Sequence, residues 1–92
     1  MSNIKIIYFD IENIDSSSLV QRLNTLCSSV YRVNNDILMV YYPDSSKVLY
    51  DSLGSLIQGK NIFIIEVNTE SNAFWGYMDK GLWDWINNNR NM

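Results

Sequence analysis

Ile4-Lys5-Ile6-Ile7-Tyr8-Phe9-Asp10-Ile11 is the stretch on which the fold turns. β-branched and aromatic side chains of this kind favour the pleated surface of a strand. The run is apolar on both parities: Ile4, Ile6 and Tyr8 on one, Ile7, Phe9 and Ile11 on the other. A strand with one wet face alternates apolar and polar, whereas one covered on both faces does not. The reading is therefore a central strand with material packed above and below it, and the rest of the chain must supply that cover.

Outward from this strand, Glu12–Ser18 is polar and ends it, with Asp15 or one of Ser16, Ser17 and Ser18 available to cap a helix. Leu19, Val20, Leu23, Leu26 and Cys27 then fall on one helical face, with Gln21, Arg22, Asn24 and Thr25 on the other. Val30–Val33 reads as a short second strand, Asn34-Asn35 as a hairpin turn, and Asp36–Tyr42 as the returning third strand, closed by Pro43. Asp44, Ser45 or Ser46 can cap a second helix whose inward residues are Val48, Leu49, Leu53, Leu56 and Ile57. Gly54 falls inside that helix, where it suggests a close approach to the sheet, and Gly59 follows as a C-terminal cap. Asn61–Val67 is a fourth strand and Asn68–Asn72 a polar loop. Ala73–Ile86 is rich in aromatics and ends in a short helix, capped by Asp79, that carries Leu82, Trp83 and Ile86.

The resulting order is β-α-β-β-α-β followed by an extension, the split βαβ or ferredoxin-like pattern of an α+β sandwich. Right-handed crossovers predict a sheet ordered 4-1-3-2 with both main helices on one face. The expectation is a single domain over residues 1–92, with 73–92 packing as an extension on the sheet or on a partner subunit. Two tensions follow. The sheet face opposite the helices is apolar and needs covering, either by the aromatic extension or by a second subunit. The fourth strand is an edge yet is as apolar as the centre, and such edges invite pairing with another segment or chain.

Composition narrows the function classes. The chain has 92 residues, of which 47% are hydrophobic, which argues against wholesale disorder. Its net charge is −3 and it contains no histidine. Histidine-based catalysis, metal ligation and pH switching are thereby excluded. The acidic balance argues against a constitutive nucleic-acid binder, because the cations Lys5, Lys47, Lys60, Lys80, Arg22, Arg32 and Arg90 are scattered rather than striped. The lone Cys27 lies where a helix face wants a small apolar residue, so burial is the expectation for it. No segment approaches the length of a membrane span and no signal peptide is visible, so a cytoplasmic protein without membrane association is expected. There is no phosphate-binding glycine loop and no serine elbow.

Two constellations remain. Antiparallel pairing places the end of strand one near the start of strand three, making Asp10 and Asp36 neighbours with Glu12 just beyond. Two or three carboxylates can hold Mg²⁺, and such a metal can generate hydroxide or stabilise a phosphoryl transition state. Carboxylates at strand ends also serve, more commonly, as solvated turn residues. The second constellation is aromatic: Trp75, Tyr77, Trp83 and Trp85 offer large anchoring side chains, either for a partner or for this protein's own sheet.

A strand ending Tyr8-Phe9-Asp10 at the head of a short ferredoxin-like chain resembles the small CRISPR-associated adaptation proteins and their endoribonuclease-like relatives. The ending Gly76-Tyr77-Met78-Asp79-Lys80, followed by Trp83-Asp84-Trp85-Ile86, is similar to that of short stand-alone bacterial proteins labelled "SinR family". Those carry a Gly-Trp-Leu-Pro-Lys and Trp-x-Trp-Leu ending, so Tyr77 stands here for a Trp and Asp79 for a Pro. The resemblance implies a ferredoxin-like homodimer held partly by its C-terminal segments, and it implies a metal-associated role for Asp10. Two functions are expected from the sequence. One is a non-catalytic dimeric interaction module; the other is a Mg²⁺-dependent endonuclease acting on RNA or DNA through catalytic Asp10, helped by Asp36 or Glu12.

Overall fold

A computed structural model describes residues 3–67, 76 and 80–89. These residues form a small α+β protein whose strands are β1 (Ile4–Phe9), β2 (Ser29–Arg32), β3 (Ile37–Tyr41) and β4 (Ile62–Glu66). Its helices are α1 (Ser16–Leu26), α2 (Ser46–Leu53) and α3 (Lys80–Asn89). The strands make one antiparallel sheet in the hydrogen-bonded order β2-β3-β1-β4, which is 4-1-3-2 read from the β4 edge. β1 is central, with Ile6 opposite Met39 on one side and Ile65 on the other.

The caps are resolved among their candidates. The Asp15 carboxylate accepts a hydrogen bond from the Ser18 amide at 3.2 Å and another from the Ser18 hydroxyl at 2.7 Å, which starts α1. The Ser45 hydroxyl accepts from the Val48 amide at 3.1 Å and starts α2. Each satisfies an amide that a helix N-terminus otherwise leaves unpaired.

The double-sided apolar character of β1 is met by two layers. Ile7 and Phe9 join Leu38 and Val40 of β3 beneath Leu19 and Leu23 of α1 and Leu49 and Leu53 of α2. Ile4 and Met39 face the other way and are covered by Leu82 and Ile86 of α3. Fully burying an aliphatic side chain stabilises by roughly 1.5–3 kcal/mol, so the first and larger layer dominates.

The structure differs from the sequence expectation in several details. Ile14 lies in a stretch whose polarity suggested a plain loop, yet it is fully buried in the larger layer. The second helix stops at Leu53 rather than running to Ile57. Gly54 turns the chain there with φ +60° and ψ −136°, a conformation that is strained for side-chain-bearing residues, and opens a short 3₁₀ turn over Gly54–Leu56. A Cβ at Gly54 would meet nothing within 4 Å, so backbone conformation and not close packing on the sheet is what calls for glycine. Ile57 still reaches the core beyond the break. The expected cap Asp79 lies outside the described residues, as do Trp75 and Tyr77.

Candidate functional site

The carboxylate end is built by three strand termini. The Phe9 amide donates to the Asp36 carbonyl at 3.0 Å and the Asp10 amide to the Asn61 carbonyl at 3.0 Å, so β1, the turn before β3 and the start of β4 converge beside Asp10. A hollow of about 290 Å³ is lined here by Asp10, Asn13, Gly59, Lys60 and Asn61. Asp10 is engaged in the turn that follows it. Its Oδ1 accepts from the Glu12 amide at 3.1 Å, its Oδ2 accepts from Asn13 Nδ2, and its carbonyl accepts from the Asn13 and Ile14 amides. These bonds curl the chain so that Ile14 drops into the core. Asp36 contributes its carbonyl to Phe9 and its amide to the Asn34 side chain. Glu12 is exposed. Among the described residues, no three carboxylates or thiols gather in a group suited to a metal ion. Asp36 is thus the backbone partner of Phe9, one residue before Asp10, while the Asp10 amide goes to Asn61; strand alternation puts the two carboxylates on opposite parities, and Glu12 does not complete a trio.

On the other side, Trp83 and Trp85 pack on the chain's own sheet with the α3 layer. Trp85 Nε1 donates to the Ser29 hydroxyl at 2.8 Å, and its ring lies 6.0 Å from that of Tyr31 at a tilt of 39°. Both indoles are half-buried. Of the four aromatic residues considered as partner anchors, these two are used within the chain.

What α3 leaves uncovered lies at the β1–β4 side of the same face. Tyr8 is 52% exposed, Phe63 62% and Ile65 40%. Tyr8 and Phe63 are direct cross-strand partners, and Ile65 sits opposite Ile6. Three large apolar side chains thus line one flank of the sheet, beside an edge strand hydrogen-bonded only to β1 among the described strands. The sequence had signalled an apolar edge, but which of its residues stay exposed depends on where α3 lands.

Two further residues carry chemistry worth placing. Lys5 is 1% exposed; its Nζ donates to the Tyr42 carbonyl at 2.9 Å and stands 3.5 Å from Glu66 Oε1. Nothing in the apolar run around it signalled a buried ammonium. Cys27 is buried as expected. Burial pushes its thiol up to about 11, against the opposing influence of Lys5, so at neutral pH it is an unreactive thiol.

No family model, curated protein or solved structure matches this chain. No helix among the described residues is long and apolar enough to cross a membrane.

Proposed function

We propose that this chain is a ferredoxin-like protein that acts as a homodimeric, non-catalytic interaction module, with its likeness to the small CRISPR-associated adaptation proteins lying in the fold. The observation that carries the reading is the exposed apolar flank of Tyr8, Phe63 and Ile65 beside the β4 edge. An apolar edge strand of this kind is a template for pairing with another chain, and contiguous apolar patches mark interaction surfaces. The split order of two β-α-β units around central β1 supports the ferredoxin-like assignment.

The second reading is a Mg²⁺-dependent endonuclease, favoured by the backbone bond from Phe9 to Asp36, which brings the strand ends that carry Asp10 and Asp36 together. Mg²⁺ is commonly held by one or two carboxylates and water, and it would supply a metal-bound hydroxide. Asp10 and Asp36 would be the residues that hold it, and Asp10 would then have to share oxygens now given to Glu12 and Asn13. Light scattering over a concentration series, with cleavage assays on labelled RNA and DNA in Mg²⁺ and Mn²⁺, separates the two. The module reading expects a dimer and no cleavage. Metal-dependent cleavage that is lost in Asp10→Asn, with the circular dichroism spectrum unchanged, would overturn it in favour of the nuclease.

A further inference from the structure

The outward geometry of β4 allows the partner surface to be specified. Val67 donates its amide to the Ile4 carbonyl, and the Asn61 carbonyl accepts from Asp10. The odd-numbered residues of β4 therefore turn their backbone groups inward to β1, and the even-numbered Ile62, Ile64 and Glu66 turn theirs outward. Among the described residues no backbone hydrogen bond satisfies that outer row. Side chains sort the opposite way across the pleat. Phe63 and Ile65 stand on the open face, while Ile62 and Ile64 lean into the larger core.

We infer that two copies of this chain join by antiparallel pairing of their β4 edges, with the two-fold axis passing beside Phe63. This rests on the dimeric reading above and identifies its interface. With the axis there, Ile62 and Ile64 of opposite copies exchange backbone hydrogen bonds, which satisfies the outer row. Phe63 meets Phe63 of the second copy as a non-hydrogen-bonded pair, the closer of the two antiparallel spacings, with Cα atoms about 4.5 Å apart. The two exposed rings cover each other, and each lies beside a Tyr8 from its own β1. Lys60, two residues before β4, has its amide tied to the Ile57 carbonyl, so only its side chain approaches Glu66 of the second copy, twice by symmetry, and the ends of the ribbon are complementary in charge.

The neighbouring in-phase register, centred on Ile64, is poorer. It sets Glu66 against Ile62 of the second copy and removes the charge pairs. Charge complementarity together with the backbone phase thus selects a second copy of this chain in one register. The product is a continuous eight-stranded sheet, which removes the exposed β4 edge from each copy.

The test compares wild type with Phe63→Asp, Phe63→Cys and Ile65→Cys by light scattering and non-reducing electrophoresis after mild oxidation. Native Cys27 is left in place because it is buried, and wild type controls for it. Phe63→Asp sets two carboxylates against each other at the axis. It is expected to weaken the dimer by at least about 30-fold, the loss typical of a central interface anchor. The folded spectrum should persist, because Phe63 is exposed in the single chain. Phe63→Cys is expected to form a disulfide-linked dimer, since about 4.5 Å between Cα atoms lies within the range a disulfide spans. Ile65→Cys should not, because Ile65 faces Asn61 of the second copy. A wild-type dimer that survives Phe63→Asp, with no cross-link at position 63, overturns this interface while leaving dimerisation standing. Cross-linking of Ile65→Cys in preference to Phe63→Cys overturns the register. A wild type that stays monomeric at every concentration overturns both the interface and the dimeric reading.

Discussion

Leu82→Ala tests whether α3 is part of the cooperative fold or an appendage laid on it. Leu82 is 7% exposed and packs with Ile4, Met39 and Ile86 on the sheet face away from α1 and α2. Leucine-to-alanine changes in packed cores cost about 3–5 kcal/mol, the sum of lost transfer energy and the residual cavity. The layer under α3 is thin and the helix has solvent behind it, so the site can collapse further than a central one. The expected cost is about 2–3 kcal/mol, toward the low end of the wider range for such truncations. For a chain of this size that lowers the midpoint of thermal unfolding by about 10–20 °C. The control is Leu23→Ala, whose side chain is fully buried in the larger layer and should cost about 3–5 kcal/mol. The assay is urea unfolding followed in parallel by far-ultraviolet circular dichroism and by tryptophan emission, since Trp83 and Trp85 both lie on α3. Coincident midpoints that shift together place α3 in the cooperative unit. A loss below about 0.5 kcal/mol, the range of an unremarkable surface change, would refute the packing argument. So would a shift confined to tryptophan emission.

Two further outcomes follow from the local geometry. Gly54→Ala is expected to destabilise by about 1–3 kcal/mol through backbone strain alone, since a Cβ there meets nothing; an unchanged urea midpoint would show that the φ +60° turn is not required. The Ser18 hydroxyl and amide hold the Asp15 carboxyl below its usual value, so its stabilisation is present above the ordinary carboxylate pKa and fades as pH falls through the lowered one. Asp15→Ala should therefore be less stable than wild type at pH 7, with the gap closing in acid; a gap independent of pH would refute the capping account.

The architecture was legible because its signals are periodic. The double parity of Ile4–Ile11 announced a central strand, and the spacing of Leu19 and Leu23 announced a face. The exceptions have particular causes. Ile14 is a single apolar residue between polar neighbours, and only the turn organised by Asp10 carries it inward. Gly54 can be accommodated in a helix at modest cost, so its role as the helix stop could not be separated from an interior position by spacing. At the carboxylate end the register was legible only to within a residue: Asp36 pairs with Phe9, and the Asp10 amide turns to Asn61 instead. It was not legible that Asp10 spends its oxygens on its own turn, since that depends on hydrogen bonds of Glu12 and Asn13. The aromatic residues announced their importance but not their direction. Trp85 reaches Ser29 because α3 crosses that flank of the sheet, a tertiary fact with no local signature.

The buried Lys5 has a consequence that concerns the chain before it is folded. β1 pairs with β3 and β4, both made after it, so this apolar run waits for residues 62–66 before its second edge is closed. During that interval Ile4–Phe9 is a short segment of high β-propensity, the composition that self-associates most readily between nascent chains. A fully hydrated ammonium near its start interrupts that tendency, much as gatekeeper charges do beside unavoidable hydrophobic strands. In the finished protein the same group must be desolvated, and the Tyr42 carbonyl and Glu66 receive it. A charge that is a burden in the native sheet is thus an asset to solubility during synthesis.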